Sequence, residues 1–285
     1  MGAAVLAMKH GFEVFLSDKG LLKEKYREQL QARNIPFEEG GHDEARVLSA
    51  HEIIKSPGIP DTAPLVVQAR AQGIPVISEI EFAARYTKAK LICITGSNGK
   101  TTTTLLTYHI LKNAGLNVGL AGNVGNSFAL QVAEQNFDYY VLEISSFMLD
   151  TMYEFRADVA VLTNITPDHL DRYEYNFQNY VNSKFRIVNN QTENDVFIFC
   201  ADDPVIMKEL SERTMAAQLF PYTISDKLPF GERGAYVNND QLIIHINQYN
   251  TLTMKMTELA LKGKHNLANS MAAGVGEVVL SLQGK

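Results

Sequence analysis

The sequence predicts an α/β protein with a mostly parallel sheet, divided into two domains. Short apolar runs alternate with amphipathic segments along almost the whole chain, which is the pattern of strand and helix repeats in parallel sheets. One of these runs leads into a glycine-rich turn followed by Lys-Thr, a typical start of a phosphate-binding helix. The length of 285 residues exceeds that of one ordinary domain and favours two.

Each predicted element follows from its local pattern of apolar and polar residues. Short apolar runs predict strands at residues 12–16, 52–55, 75–77, 91–95, 117–121, 139–144, 159–163 and 196–199. Amphipathic segments predict helices at residues 22–33, 63–72, 100–114, 177–189 and 205–212. An Asn-Asn-Asp sequence predicts a β-hairpin over residues 235–246, and residues 266–282 predict a closing helix.

A domain boundary is predicted near residues 86–90, where a helix ends and the strand before the glycine-rich turn begins. The first domain then covers residues 1–88 and the second covers residues 89–285. Residues 2–7 have the composition of the helix that follows the glycine loop of Rossmann-like folds, so the first domain is predicted to be Rossmann-like. No strand precedes this helix, and an unpaired sheet edge is a liability, so we expect the first strand to be missing from this sequence.

Composition excludes several classes of protein. The chain has 32 acidic and 26 basic residues, a net charge of −6, and no basic run that would favour a nucleic-acid partner. No apolar stretch reaches the roughly 18 residues needed to span a bilayer, and no basic segment precedes an apolar one as in a signal peptide. The two cysteines, Cys93 and Cys200, lie in apolar runs and are predicted to be buried thiols, which fits a cytoplasmic protein.

The glycine-rich stretch LICITGSNGKTTTT carries the clearest functional signal. Gly96 and Gly99 allow backbone N–H groups to close around phosphate oxygens, and the helix that begins at Lys100 adds its positive dipole. Lys100 supplies a point charge, and the hydroxyl of Thr101 is suited to binding Mg²⁺. This predicts a P-loop-type second domain. Ile94 replaces the first glycine of the standard pattern, so an ordinary strand–turn–helix junction is the alternative.

Two further strand ends carry polar residues, at the edge where parallel sheets bind ligands. Glu143 ends a buried run, and because an unpaired carboxylate is costly there, a cation partner is expected; a salt bridge is the alternative. The next strand is followed by Asp168, His169, Asp171 and Arg172, a composition suited to metal and phosphate. For His169 the alternative is a solvated loop histidine.

Taken in order, these segments resemble the Mur ligases, a family of ATP-dependent enzymes that form amide bonds in peptidoglycan precursors. The sequence TGSNGKTT resembles their ATP loop. The sequences KSPGI, AGNVG, EISSF and NITPDHLDR are most similar to the family members that add D-glutamate. The resemblance covers nearly the whole chain, and the number and order of the motifs make it specific.

The resemblance assigns roles to the matching positions of this chain. ATP would bind at Gly96, Ser97, Asn98, Gly99, Lys100, Thr101, Thr102, Asn266 and Asn269. The nucleotide substrate would bind at Asp18, Ser56, Pro57, Gly58, Asn123 and Ser145. Two Mg²⁺ ions would bind through Thr101, Glu143, His169 and Lys184. The expected catalytic residues are Lys100, His169 and Lys184.

Two of these positions have plain structural alternatives. The resemblance implies that CO₂ carbamylates Lys184 and converts a cation into an anionic oxygen ligand for Mg²⁺. By its pattern alone, Lys184 is typical of an exposed helix lysine. Asn266 could equally be the N-cap of the closing helix, because asparagine is favoured at that position.

The implied reaction is the ATP-dependent ligation of D-glutamate to UDP-N-acetylmuramoyl-L-alanine. ATP would phosphorylate the alanine carboxylate, and the amine of D-glutamate would then displace phosphate from the acyl phosphate. These two substrates are the expected partners of a monomeric protein that binds neither nucleic acid nor membrane. The resemblance also implies a C-terminal domain that this sequence lacks, so we expect the chain alone to bind nucleotides without forming the amide bond.

Three alternatives stay open. A related amide ligase such as folylpolyglutamate synthase would share the ATP chemistry, but the Ser-Pro-Gly loop and the UDP-type first domain argue against it. A P-loop NTPase switch would couple hydrolysis to a partner and would not need a UDP-sugar. A non-catalytic nucleotide-binding module is disfavoured because Lys100, Glu143 and His169 together suit chemistry as well as binding.

Overall fold

The computed structural model describes residues 1–229, 231, 233–247, 250–259 and 263–283. The chain forms two compact units, which we call unit 1 and unit 2. Unit 1 comprises Met1–Lys88, Asn126–Asn136 and Asp150–Phe155. Unit 2 comprises Ala89–Gly125, Phe137–Leu149 and Arg156–Lys285. Two segments that follow the glycine-rich turn in sequence therefore pack with the first 88 residues.

Unit 1 contains short strands and helices in alternation. In chain order they are α1 (Gly2–Lys9), β1 (Leu16–Asp18), α2 (Glu24–Ala32), β2 (Phe37–Glu39), α3 (Glu44–Val47), β3 (Ile53–Lys55), α4 (Pro64–Ala71), β4 (Val76–Ser78), α5 (Glu79–Ala84) and, later in the chain, α7 (Phe128–Glu134). Strands β1 and β2 form one parallel pair, and β3 and β4 form another. The strand predicted at residues 12–16 is wrong, because pairing with β2 begins only at Leu16 and the Phe12 side chain is exposed.

Helix α7 packs closely on α1. A Cβ atom on Gly2 would collide with the hydroxyl of Ser127, so only glycine allows this approach. Ser127 caps α7 by accepting a hydrogen bond from the N–H of Leu130 at 3.1 Å. Glu79 accepts a hydrogen bond of 2.9 Å from the N–H of Ala129. Segment 126–136 is thus integrated into unit 1 by packing and by hydrogen bonds.

Glu81 fixes the second inserted segment. Its side chain is 1% exposed, and its two carboxylate oxygens accept hydrogen bonds of 3.0 Å from the N–H groups of Tyr153, Glu154 and Phe155. Three consecutive backbone donors thereby share one charged acceptor, and such charge-assisted bonds are about twice as strong as neutral ones. The N–H of Ser78 adds a bond of 2.9 Å to the carbonyl oxygen of Thr151.

Unit 2 is built on one large sheet. Its elements are β5 (Lys90–Thr95), α6 (Lys100–Asn113), β6 (Val118–Gly122), β7 (Tyr139–Glu143), α8 (Ser146–Leu149), β8 (Val159–Leu162), α9 (Phe177–Phe185), β9 (Val196–Cys200), α10 (Pro204–Glu212), β10 (Gln218–Tyr222), β11 (Gly234–Asn238), β12 (Gln241–Asn247), β13 (Asn250–Lys255) and α11 (Lys264–Gln283). Short 3₁₀ helices occur at Leu170–Tyr173, Arg186–Val188 and Met256–Glu258.

The nine strands of this sheet have the order β13-β12-β11-β10-β9-β8-β5-β7-β6. All neighbouring pairs from β6 to β11 are parallel, and β11, β12 and β13 pair antiparallel, which confirms the predicted hairpin. The central strands are buried along their length because helices cover both faces of a parallel sheet. Strand β5 lies between β7 and β8 and is parallel to both, so the loops that follow these three strands lie side by side at one edge of the sheet. Across the residues described, no helix combines the length and apolar character needed to cross a membrane.

Candidate nucleotide and metal site

The loop of residues 96–99, which we call the phosphate loop, connects β5 to α6. It contains two glycines in unusual backbone conformations. Gly96 has φ of 147° and Gly99 has φ of 81°. A Cβ atom on Gly96 would collide with the hydroxyl of Thr163, and one on Gly99 would lie 2.5 Å from Oδ1 of Asn269. Both positions therefore require glycine for two reasons, the backbone angle and the close neighbour.

The loop that follows β8 braces the phosphate loop. The N–H of Ser97 donates to the carbonyl oxygen of Asn164 at 2.9 Å, and the N–H of Asn98 donates to Oδ1 of Asn164 at 2.8 Å. The Ser97 hydroxyl donates to the carbonyl oxygen of Thr166 at 2.9 Å. These two backbone donors are engaged inside the protein, so the donors best suited to a phosphate are those of residues 99–102, ahead of the first intrahelical bond, from Thr103 to Gly99.

Lys100 lies along the loop that precedes it. Its Nζ donates to the carbonyl oxygens of Gly96 at 2.8 Å and Ser97 at 2.7 Å. Burial lowers the pKa of Lys100, and the negative charges of Glu143 and Asp168 partly oppose that shift. The charge of Lys100 therefore interacts with carboxylates at the end of β7 and in the loop after β8.

Glu143 presents a buried carboxylate at the end of β7. One oxygen, Oε1, accepts a hydrogen bond of 2.7 Å from Nδ2 of Asn123. The other, Oε2, is buried with no hydrogen-bond partner among the described residues. Gly122 allows the backbone of β6 to approach the backbone of Glu143 closely, because a Cβ atom on Gly122 would collide with the Glu143 carbonyl oxygen. A buried carboxylate oxygen without a donor is costly in a protein alone, and it fits a cation ligand.

Lys184 is buried, and the alternative of an exposed helix lysine is wrong. The residue is 2% exposed, and its Nζ donates to the carbonyl oxygen of Gly96 at 2.9 Å and to Oγ1 of Thr95 at 3.3 Å. Tyr180, one turn earlier on α9, lies with its hydroxyl 3.0 Å from the Ser97 hydroxyl. Helix α9 thus carries two side chains that contact the phosphate loop.

His169 is exposed, unlike Glu143 and Lys184, which are buried. Its side chain is 55% exposed, its φ is 49°, and Nε2 lies 3.6 Å from a carboxylate oxygen of Asp168. The His169 ring packs on the Phe147 ring with centroids 5.2 Å apart. The guanidinium of Arg172 lies 4.5 Å from the centre of the Phe147 ring. In the part of the chain that the structure describes, no three His, Cys, Asp or Glu side chains form a metal cluster.

The remaining unit 2 positions also have defined contacts. Asn269 is buried on α11, and its Oδ1 accepts a hydrogen bond of 3.2 Å from the hydroxyl of Thr103. The N-cap alternative for Asn266 is wrong, because α11 begins two residues earlier at Lys264. Thr101 is exposed at the start of α6. The Ser145 hydroxyl accepts a hydrogen bond of 3.3 Å from the N–H of Met148 at the start of α8.

The positions expected for the UDP part of the substrate belong to unit 1. Asp18 ends β1, and its carboxylate accepts a hydrogen bond of 2.8 Å from the N–H of Gly20. Ser56, Pro57 and Gly58 follow β3 in a turn closed by a bond of 3.0 Å from the N–H of Ile59 to the Ser56 carbonyl oxygen. The space around a Cβ on Gly58 is open to 4 Å.

Four residues that contribute to the site were not candidates in the sequence. Asn164 and Thr166 lie in the sequence NITPDHLDR, in which the Asp and His residues are the more obvious metal ligands. Tyr180 precedes Lys184 by four residues, so the two lie on one helix face. Asp203 caps α10 and also accepts a hydrogen bond of 2.8 Å from the N–H of Ile165, which ties the loop after β8 to the sheet.

This arrangement, a phosphate loop beside a buried carboxylate and a buried lysine at adjacent strand ends, defines a phosphate-loop α/β protein. Residues 94–275 match the family described as the Mur ligase middle domain. The chain therefore belongs to the Mur ligase family. Residues 4–64 match the family described as the MurD N-terminal domain.

Two curated relatives carry the same enzyme name. The chain is 57% identical over 276 residues to UDP-N-acetylmuramoylalanine–D-glutamate ligase of Bacteroides fragilis, covering 96% of this chain and 61% of the relative. It is 50% identical over 285 residues to the same-named protein of Porphyromonas gingivalis, covering 100% and 63%. The chain thus spans about 61–63% of the length of these relatives.

Solved structures support the fold. The UDP-N-acetylmuramate:L-alanyl-gamma-D-glutamyl-meso-diaminopimelate ligase from Neisseria meningitides matches with a TM-score of 0.65 and 20% identity, over 98% of this chain and 89% of that one. The MurF ligase from Thermotoga maritima, solved in complex with ADP, matches with a TM-score of 0.50 and 18% identity, over 82% and 64%.

Proposed function

We propose that this chain forms the UDP-substrate-binding and ATP-binding parts of an enzyme that ligates D-glutamate to UDP-N-acetylmuramoyl-L-alanine. The observation that carries the proposal is the buried Glu143 carboxylate with its unpartnered Oε2, whose charge acts on Lys100 of the phosphate loop. A carboxylate in that position suits a cation bound beside nucleotide phosphates. The relatives named for this reaction support the choice of substrates.

In the proposed enzyme, ATP binds along the phosphate loop. The N–H groups of residues 99–102 face a phosphate at the N-terminus of α6, and Lys100 adds a full positive charge. Gly96, Ser97 and Asn98 shape the loop, while Asn266 and Asn269 lie on α11, which contacts α6 through Asn269 and Thr103. The ADP bound to the Thermotoga maritima relative supports an adenine nucleotide.

The proposed metal ligands are Thr101, Glu143, His169 and Lys184 in its carbamylated form. Carboxylate and hydroxyl oxygens are the ligand types that Mg²⁺ prefers, and the unpartnered oxygen of Glu143 fits that need. Bound Mg²⁺ would neutralise phosphate charge, which otherwise repels an incoming carboxylate. The hydrogen bond from Asn123 holds the Glu143 carboxylate in one orientation.

Lys184 is proposed to react with CO₂ and form a carbamate. The ammonium first loses one proton to become a neutral amine. The amine nitrogen then bonds to the carbon of CO₂ and loses a second proton, so a cation becomes an anion. The carbamate nitrogen keeps one hydrogen, which can still donate to the Gly96 carbonyl oxygen, now 2.9 Å from Nζ. Burial against the loop keeps the side chain in place.

The proposed substrate sites are the loops after β1 and β3, with Asp18, Ser56, Pro57 and Gly58, together with Asn123 and Ser145 of unit 2. In the reaction, an oxygen of the alanine carboxylate attacks the γ-phosphorus of ATP and ADP leaves. The amine of D-glutamate then attacks the acyl carbon, phosphate leaves, and the amine loses its proton. Lys100 serves the first step by stabilising charge on the transferred phosphoryl group.

Calorimetry tests the proposal directly. UDP-N-acetylmuramoyl-L-alanine should bind the purified chain without ATP, and an ATP analogue should bind separately in the presence of Mg²⁺. A folylpolyglutamate-type ligase or an NTPase switch would bind the ATP analogue but ignore the UDP-sugar, so that result would reject the proposal. The same sample should sediment as a monomer.

A further inference from the structure

Lys55 is a buried lysine that the proposed mechanism does not use. It is the last residue of β3 and immediately precedes the loop of Ser56, Pro57 and Gly58. The residue is 4% exposed, although lysine is almost never fully buried without a partner. Its side chain folds into the loop, where Nζ donates to the carbonyl oxygen of Ile59 at 2.6 Å.

Lys55 belongs to a group of three charged side chains with Asp61 and Arg70. Its Nζ lies 3.3 Å from Oδ1 of Asp61, and the same Oδ1 accepts a hydrogen bond of 2.9 Å from Arg70. Two cations therefore share one carboxylate, which leaves this group of three with a net charge of +1. Because Asp61 and Arg70 are more exposed than Lys55, solvent screens their charges more strongly.

The loop over Lys55 is closed at both ends. The N–H of Ile59 bonds to the Ser56 carbonyl oxygen, and the Ile59 carbonyl oxygen accepts from Lys55. The ammonium thereby fixes where the turn ends and leaves a positive charge at its base. A turn with a cation at its base suits an anion, since fixed positive charge in a sheltered place attracts phosphate strongly.

We propose that Lys55 is a positioning residue for the nucleotide diphosphate: it holds the 56–59 turn in shape and supplies positive potential to it. The inference rests on the proposed function, in which this turn binds the UDP part of the substrate. It adds a residue that acts from below the turn without touching substrate. A purely structural lysine would support the same turn with no contribution from its charge.

Four substitutions separate charge from support, with affinity for UDP-N-acetylmuramoyl-L-alanine measured by calorimetry on this chain. Lys55→Met keeps the length of the side chain and should weaken binding about tenfold, the scale of one charge interaction near a protein surface. Lys55→Gln keeps a hydrogen-bond donor but no charge, and should weaken binding nearly as much. Asp61→Asn removes the neutralising carboxylate and should tighten binding about threefold at low salt.

Arg70→Gln is the matched control, because it alters the same group of charges outside the turn. It should change affinity less than about twofold, since Arg70 bonds to Asp61 from α4 and its loss leaves the Lys55 ammonium in the turn. Thermal unfolding of each variant reports whether the turn has lost its support, and Asp61→Asn should bind more tightly even though it unfolds earlier. Tighter binding together with lower stability is the result expected if Lys55 acts through its charge. A lysine that only supports the shape of the turn would not produce it.

The inference fails if Asp61→Asn weakens binding together with Lys55→Met, because both would then act only through the shape of the turn. It also fails if Lys55→Gln binds like the wild type. Neither result would contradict the proposed function. That proposal is tested separately, by whether the wild-type chain binds the UDP-sugar.

Discussion

The side-chain amide of Asn123 donates a hydrogen bond of 2.7 Å to one carboxylate oxygen of Glu143, whose second oxygen is buried without a partner in the described structure. The bond orients the carboxylate and keeps it from turning toward another donor. The free oxygen costs stability in the protein alone, and a bound cation would recover that cost. Stability and metal binding are therefore linked at this one side chain.

We expect Glu143→Gln to abolish stabilisation by Mg²⁺ with an ATP analogue. The wild type should unfold at a higher temperature when both are added, because a ligand that binds only the folded state stabilises it. Without them, the variant should be as stable as the wild type, or more stable by about 1 kcal/mol, since it buries no charge. Glu174→Gln, at an exposed position, is the control and should respond to Mg²⁺ like the wild type.

Lys184→Met should remove a carbamate signal. With ¹³C-labelled bicarbonate, Mg²⁺ and an ATP analogue, the wild type should show a ¹³C carbamate resonance and the variant should not. Lys208→Met replaces an exposed lysine of α10 and should retain the signal. Equal spectra from all three proteins would rule out carbamylation of Lys184 under these conditions.

Gly96→Ala should destabilise the protein by about 3 kcal/mol or more, because it combines a strained backbone angle with a collision against Thr163. Gly115→Ala is the matched control. Gly115 has φ of 82° with nothing within 4 Å of a Cβ, so only the backbone strain applies and about 1 kcal/mol is expected. Urea unfolding measures both, and equal losses would show that the Thr163 contact is relieved by movement.

Lys100 should make stability depend on alkaline pH. Burial lowers the pKa of Lys100 in the folded chain, so between that pKa and its unfolded value near 10.5 the unfolded chain binds more protons. The stability of the wild type relative to Lys100→Met should therefore rise as the pH increases through this window. The measurement compares how the free energy of unfolding changes with pH in the two proteins. Its value at a single pH is not used, because Lys100→Met also loses the two hydrogen bonds of Lys100. A slope of opposite sign would contradict the burial of the ammonium.

Glu81→Gln should cost about 2–4 kcal/mol, because one amide oxygen cannot accept from three N–H groups and its NH₂ would face a donor. Glu44→Gln, exposed in the first turn of α3, should change stability by less than about 0.5 kcal/mol. Protease cleavage within residues 150–155 should increase only in Glu81→Gln. Protection equal to the wild type would mean that the segment is held by other contacts.

Local pattern was enough to predict the centre of unit 2. Strands β5, β7, β8 and β9 are apolar between their end residues, because a parallel strand covered on both faces has no polar side. Strand β10 was missed because Pro221 lacks the N–H of a ladder residue and speaks against a strand. In unit 1 the strands are only three residues long, and tertiary pairing rather than local pattern decides where they begin.

The site was predictable where chemistry concentrates in one short stretch, as in the loop from Gly96 to Thr101. The buried positions and contacts of Lys184 and Glu81 could not be predicted from local sequence. One looks like any helix lysine and the other like any first-turn glutamate, until the fold buries them against backbone groups distant in sequence. Their importance comes from burial, which depends on the complete tertiary structure.

The placement of segments 126–136 and 150–155 in unit 1 bears on how the chain is made. A ribosome releases residues in order, so the first 88 residues emerge long before the helix that covers Gly2 and the backbone that Glu81 holds. Unit 1 can close only after residue 155 has left the exit tunnel, by which time β5, β6 and β7 are already outside. The nascent chain must therefore keep unit 1 open while the central sheet of unit 2 begins to assemble. A gene fragment that stops at residue 88 would encode an incompletely covered, aggregation-prone product.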